Sequence, residues 1–137
     1  MKKIGGIILI LSLFLLVLFD TNVKQAYAYY ACSKNEARCA DASFLYGGSK
    51  TTSTSSIYFS KGEKIEIQWE NDSPGREHVA FYIMSDKDKI SKTIYAPAYG
   101  NNRHVEDAPF SGYYYMVALC KGGETNTCKG GGRISIE

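Results

Sequence analysis

The chain has 137 residues, with 16 basic and 14 acidic side chains, two histidines and four cysteines. Removing Lys2, Lys3, Lys24 and Asp20 with the leader described next leaves 13 basic and 13 acidic residues, so residues 29–137 are neutral overall. That balance, with no basic run, excludes the electrostatic footprint of a nucleic-acid binder and a polybasic membrane patch.

The first 28 residues read as a cleaved secretory signal peptide. Lys2 and Lys3 precede an apolar run over residues 4–19, and Ala26-Tyr27-Ala28 supplies an A-x-A cleavage site. The run is short for a span, which takes about 20 apolar residues, and the tyrosines before Cys32 do not suit a lipobox. No stable membrane anchor is therefore expected. The short basic start and long apolar run have a bacterial look. Residues 29–137 are enough for one domain with a modest core.

Cys32, Cys39, Cys120 and Cys128 all follow the leader. An even count in a small exported domain implies two disulfides. The C-x6-C and C-x7-C spacings suit local closure better than metal binding, which favours C-x-x-C pairs or nearby histidines. Local Cys32–Cys39 and Cys120–Cys128 bridges are favoured over bridges tying the N-terminal segment to the C-terminal hairpin. No metal and no cofactor are expected.

In chain order, residues 29–41 lack alternation, and the loop between Cys32 and Cys39 allows one helical turn. Residues 42–46 suggest a short strand stopped by Gly47-Gly48. The Ser/Thr run 49–56 is a loop or weak edge strand, and 57–59 a short strand. Residues 64–70 alternate strictly, with Ile65, Ile67 and Trp69 on one face and Lys64, Glu66, Gln68 and Glu70 on the other. This is a half-buried strand of fixed register. A turn cluster begins at Asn71. Strands follow over 77–84, with Val79, Phe81 and Ile83 inward, and over 90–95, anchored by Ile90 and Ile94. Residues 96–107 carry no pattern beyond a short strand around 104–106. The uninterrupted apolar run 113–120 predicts a central strand covered on both faces, with Tyr113 to Tyr115 mostly in the core. Residues 121–132 read as a Gly-rich loop, and 133–137 as a closing strand with Ile134 and Ile136 inward.

Many short strands, frequent turns and no long helix predict an all-β fold, a small antiparallel β-sandwich over residues 29–137, with a small closed barrel as the alternative. Ser111-Gly112-x-Tyr114-x-Met116 resembles the Ser-Gly-x-Tyr-x-Cys step of immunoglobulin-type strands, with Met116 in the cysteine's place. The resemblance implies that Tyr114 is a tyrosine corner, its hydroxyl tied to upstream backbone. The wider pattern over 57–137 is similar to bacterial pre-peptidase C-terminal and related jelly-roll modules. There a Lys-Gly or Ala-Gly turn, here Lys61-Gly62, precedes a strand like 64–70, and a Ser-Gly-Tyr step precedes the last long strand. Both resemblances imply a fold class and carry no activity across.

No nucleophile elbow, paired-carboxylate signature or calcium loop marks an enzyme or a metal site. The suggestive stretch is 95–104, where Tyr95, Tyr99, Asn101, Asn102, Arg103 and His104 surround Pro97 and Gly100. Aromatic faces stack on sugars or apolar partner groups, and amides and arginine give directional hydrogen bonds. The reading is a secreted, extracellular, non-enzymatic binding module, free or held at the cell wall, monomeric, with a glycan or protein ligand. The alternatives are a secreted competition factor of antimicrobial or toxin-like kind, and a structural subunit of an extracellular assembly.

Overall fold

A computed structural model describes residues 31–72 and 74–137; the expected signal peptide, residues 1–28, lies outside them. The described residues form nine strands: β1 (Cys39–Phe44), β2 (Thr51–Ser53), β3 (Ile57–Phe59), β4 (Lys64–Asn71), β5 (Val79–Ser85), β6 (Ile94–Ala96), β7 (Asn101–Asp107), β8 (Gly112–Cys120) and β9 (Gly130–Ile136). One sheet has the order β1-β9-β4-β7. The other has β2-β8-β5-β6, with β3 also on β8, and every pairing is antiparallel. Two separate sheets around one core make this a sandwich.

The alternating run of β4 forms as its period demands. Ile65, Ile67 and Trp69 are buried, Lys64 is exposed, and Glu66, Gln68 and Glu70 are only half-buried. Their inward face meets Phe81, Ile83, Tyr114 and Met116 from the other sheet in one apolar cluster. Tyr114 is a tyrosine corner: its hydroxyl donates to the Phe110 carbonyl at 2.5 Å. Both disulfides are local, Cys32–Cys39 and Cys120–Cys128. The first staples the segment before β1; the second folds the β8–β9 connection back onto the core, where Cys120 and Cys128 are buried.

Several expectations change. Asn71 is no turn residue but the last, inward position of β4. Residues 130–132 are not loop but the start of β9, because Trp69 needs their bareness: a β-carbon on Gly132 would lie 2.5 Å from Trp69 Cε3 and closer still to the Gln68 carbonyl. Glycine inside a strand marks such close approach. β1 begins at Cys39 rather than 42, and the strand expected over 90–95 shrinks to β6, with Ile90 only partly buried. Residues 33–38 form turns and no helix. Ile136 shares Ile134's face but runs past the end of the core and is exposed.

The largest change concerns β8. It is central, pairing with β2, β3 and β5. Yet only Tyr114, Met116, Ala118 and Cys120 are buried; Tyr115, Val117 and Leu119 are half-buried and Tyr113 is 53% exposed. Among the described residues, a two-layer sandwich has nothing to lay over the outer face of β8.

Arg38 locks the segment before β1 to the edge of β3. Its guanidinium forks onto Glu63 at 2.9 and 2.5 Å, donates to the Tyr58 carbonyl at 2.8 Å, and lies 4.9 Å above the Phe59 ring. The hydrogen bond from Arg38, aided by the Ser60 backbone N–H, holds the Glu63 carboxyl down at about 2. A carboxyl depressed in the fold contributes stability above its ordinary pKa near 4.5, and loses it as pH falls through about 2. Glu63→Gln should therefore melt below wild type at pH 6, with the gap closing by pH 2. Thermal melts across that range check it; a gap independent of pH would refute the ion-pair account. Separately, Gly132→Ala should cost roughly 2 kcal/mol or more in denaturant unfolding, as overpacking does, since the atoms it meets are backbone and indole.

Candidate functional site

Strand direction alternates, so the β1–β2, β4–β5, β6–β7 and β8–β9 connections all emerge at one end of the sandwich. The β6–β7 turn there carries the most constrained of the residues singled out by sequence. Gly100 N–H donates to the Pro97 carbonyl at 3.0 Å, closing a tight turn with Tyr99 at its tip. Tyr99 has φ +57° and is 57% exposed. An aromatic residue there costs roughly 1–2 kcal/mol, which glycine would avoid.

Asn71 holds the turn in place. Its Nδ2 donates to the carbonyls of Ala96 at 3.0 Å and Pro97 at 2.8 Å, and its backbone N–H to Gly100 O at 2.9 Å. Its Oδ1 accepts from Trp69 Nε1 at 2.9 Å. The buried amide is thus fully engaged, and Tyr99 stands on a support anchored in the core.

The six candidate residues do not converge. Tyr95 lies on β6 and points outward from the β2-β8-β5-β6 sheet, 56% exposed, with its ring 5.7 Å from that of His78. Asn101 and Arg103 lie on β7, on the outer face of the opposite sheet, where β7 is an edge strand rather than the patternless loop expected. Arg103 is already committed to Glu66 at 2.6 Å and Glu137 at 3.2 Å, which raises its pKa further. Asn102 donates to the Tyr95 carbonyl. His104 is half-buried, with Nε2 3.1 Å from Glu106 Oε2.

Asn101, Asn102 and Arg103 do share a shallow depression of about 350 Å³ with Gln68, Trp69, Glu70 and Arg133. Its second arginine is also occupied: Arg133 reaches Glu36 at 3.3 Å, and the Gln68 amide, turned to present its oxygen, accepts from the same guanidinium. An anion there would have to displace existing partners.

Two groups of exposed side chains escaped the sequence reading. At the loop end, Leu45 and Tyr46 are 60% and 56% exposed, and Tyr46 borders a depression of about 360 Å³ with Pro74, Arg76, Glu77 and Thr127. The Gly47-Gly48 pair that follows was a usable signal, because it turns the chain just as those side chains leave the sheet.

The second group lies on the outer face of the β2-β8-β5-β6 sheet. There Tyr58, Tyr113 and Tyr95, the one of these already singled out as a candidate, are exposed, Tyr82, Met84, Tyr115, Val117 and Leu119 are half-buried, and Ala80 is buried. Register sets Tyr58 beside Tyr113, Met84 beside Tyr115, Tyr82 beside Val117, and Ala80 beside both Leu119 and Tyr95. Thr51 and Ser53 complete it at the edge. No outward strand position of this face is charged. The outer face of the other sheet, in contrast, carries Lys64, Glu66, Glu70, Arg103, Asp107 and Arg133.

No protein-family model and no curated protein matches the sequence. Among solved structures, the chain is similar to the pre-peptidase C-terminal domain of collagenase from Bacillus anthracis, at 17% identity and TM-score 0.45, over 74% of this chain and 90% of that one. It is also similar to PliG of Aeromonas hydrophila, a periplasmic lysozyme inhibitor of g-type lysozyme, at 15% identity and TM-score 0.48, over 78% and 92%. At such identities neither likeness extends to function.

If Tyr99 is displayed at a cost to the fold, Tyr99→Gly should melt at or above wild type, and Tyr99→Val, β-branched and unsuited to positive φ, below it. Calorimetry of the two variants checks this. A drop of several degrees for Tyr99→Gly would show that the ring serves the core.

Proposed function

We propose that the chain is a non-enzymatic extracellular binding module that seats a protein partner on the loop end of its sandwich, with Tyr99 as the central contact. The observation that carries this reading is the exposed Tyr99 ring, held at unfavourable φ on a support built from Asn71 and Trp69. Strain that the surrounding structure maintains gathers at functional positions, and rigid scaffolds present binding residues on loops. Tyr46 and Arg76 at the same end are the kinds of side chain that anchor protein interfaces, and Leu45 adds exposed apolar area beside them. Two disulfides suit an oxidising compartment, and the Cys120–Cys128 bridge stiffens another of the four connections at this end.

A protein partner is favoured over a glycan for a geometric reason. Sugar recognition sets aromatic faces among free amides and charged groups. Here Asn102 and Arg103 face away from Tyr95 or are spent on internal partners.

The test is site-specific photo-crosslinking on intact cells and culture fluid, with a benzophenone amino acid at position 99 and, as control, at position 64. Position 99 should give one protein adduct that position 64 lacks. Unlabelled wild type should compete for it, and Tyr99→Ala should need about tenfold more, equivalent to about 1.4 kcal/mol. Identical adducts at both positions would end the proposal. Retention on peptidoglycan, chitin or cellulose that weakens with Tyr99→Ala would replace the protein partner with a glycan.

A further inference from the structure

We infer that the free edge of β7 pairs with the β7 edge of a second copy of this chain, antiparallel and about a two-fold axis, joining two β1-β9-β4-β7 sheets into one. The inference is independent of the loop-end reading, because it uses residues 103–107 rather than the β6–β7 turn. Three observations carry it.

The first is the edge itself. An edge strand offers a row of unpaired backbone groups, and proteins keep such edges short or covered. β2, β3 and β6 are three residues each, and β1 has the stapled segment before it bonded to Asp41 through Cys32 N–H at 2.7 Å. β7 runs for seven residues, unbroken by proline or bulge, and among the described residues only β4 pairs with it.

The second is which backbone groups are open. The bonds at the two ends of the β4–β7 ladder, Ala108 N–H to the Glu63 carbonyl and Asn71 N–H to the Gly100 carbonyl, both 2.9 Å, join directly opposed residues. Hydrogen-bonded pairs alternate along an antiparallel ladder, so the even-numbered residues of β7 bond to β4. Residues 101, 103, 105 and 107 turn their N–H and C=O away from it. Asn102 closes the first part of this row: its Oδ1 accepts from Arg103 N–H at 2.8 Å and its Nδ2 donates to the Tyr95 carbonyl at 2.9 Å. The open part is the Arg103 carbonyl and both backbone groups of Val105 and Asp107.

The third is charge order. The open stretch reads Arg103-His104-Val105-Glu106-Asp107, basic then acidic about a central valine. Two-fold antiparallel pairing centred on Val105 sets Val105 against itself and Arg103 against Asp107 of the other copy, all at hydrogen-bonded positions. It sets His104 against Glu106 of the other copy at the closer, non-hydrogen-bonded position. Four backbone bonds can form while Asn102 keeps Arg103 N–H: two between the valines, and one from each Asp107 N–H to an Arg103 carbonyl. Centring on His104 or Glu106 instead opposes that residue to its own copy and leaves Arg103 and Asp107 without an opposite charge. Opposite charges across a strand pair stabilise it, and like charges do the reverse.

The side chains are available for this. Those of Arg103 and Asp107 are 54% and 68% exposed, and a guanidinium with five donors can add a contact while keeping Glu66 and Glu137. His104 and Glu106 are cross-strand neighbours of Ile67 and Ile65 on the inward side. Inward charges on an edge deter pairing with strands in general; here they admit a strand whose charges run in matching order. Residues 103–107 span about 17 Å of strand, a small contact, so the dimer is transient, with a dissociation constant on the order of 0.1–1 mM.

An NMR dilution series of wild type from about 2 mM to about 50 µM tests it. Amide shifts should change with concentration at residues 103–107 and stay constant on the loop end and on the outer face of the β2-β8-β5-β6 sheet. Val105→Pro removes an outward N–H, which an edge strand tolerates, and should weaken dimerisation at least ~10-fold. Charge gives a stricter test. Arg103→Asp alone and Asp107→Arg alone should each lose the dimer, because each sets like charges against each other. An equimolar mixture of the two folded variants should regain it, with shifts at the same residues, because the substituted positions then meet opposite charges. The wild-type series decides alone where a variant fails to fold. Constant wild-type shifts up to about 2 mM, shifts confined to another surface, or a mixture no better paired than its separate variants would each overturn the inference.

Discussion

Much of this structure depends on one buried contact, the hydrogen bond from the Trp69 indole to the Asn71 amide. Trp69 occupies the space left by Gly132 and tilts against Phe44, so it sets how closely β9 approaches β4 and where β1 ends. Asn71 extends the same face by one polar residue and spends both ends of its amide. One end satisfies the indole; the other reaches across the sandwich to the backbone at Ala96 and Pro97. A buried amide with any of these bonds missing would cost about 1–3 kcal/mol per orphaned group, so the β6–β7 turn cannot leave its place without unsettling the core. The exposed tyrosine at the tip inherits the rigidity of the buried Trp69–Asn71 pair at the end of β4.

The two outer faces solve the problem of solvent differently. The β1-β9-β4-β7 sheet is covered by charge pairs, among them Arg103 with Glu66 and Glu137, and Lys64 with Asp107. Exposed pairs of this kind add little stability, but they keep the face wet and unattractive to other surfaces. The β2-β8-β5-β6 sheet relies on tyrosine hydroxyls instead, and β8, the longest strand among the described residues, has an outward side that is exposed at Tyr113 and half-buried at Tyr115, Val117 and Leu119. A face of that kind and a rigid loop end sit at right angles on one small scaffold.

Legibility of the site followed the range of the forces involved. Tyr99 was among the residues singled out because the stretch 95–104 gathers aromatic, amide and arginine side chains around Pro97 and Gly100, and such composition is read locally. That Asn101, Asn102 and Arg103 would belong to an edge strand was not visible, since their residue types disfavour strands and only the ladder with β4 overrides that. Arg103 looked free in sequence because Glu66 and Glu137 are 37 and 34 residues away.

By itself the sequence determined what depends on neighbours along the chain. The period-two alternation of residues 64–70 specified a half-buried strand and its register, because a one-residue slip would bury charges. The short cysteine spacings favoured local bridges, because the chain could close them without a distant partner. The Ser-Gly-x-Tyr step pointed to the bond from Tyr114 to Phe110. Tertiary structure alone decided the rest. The glycines at 130–132 are strand and not loop because an indole from β4 lies against them. The apolar strand β8 is open on one side because the sandwich has only two layers. The tyrosines, alike in composition, divide into core, loop tip and outer face because partners distant in sequence bury some of them and leave the others exposed.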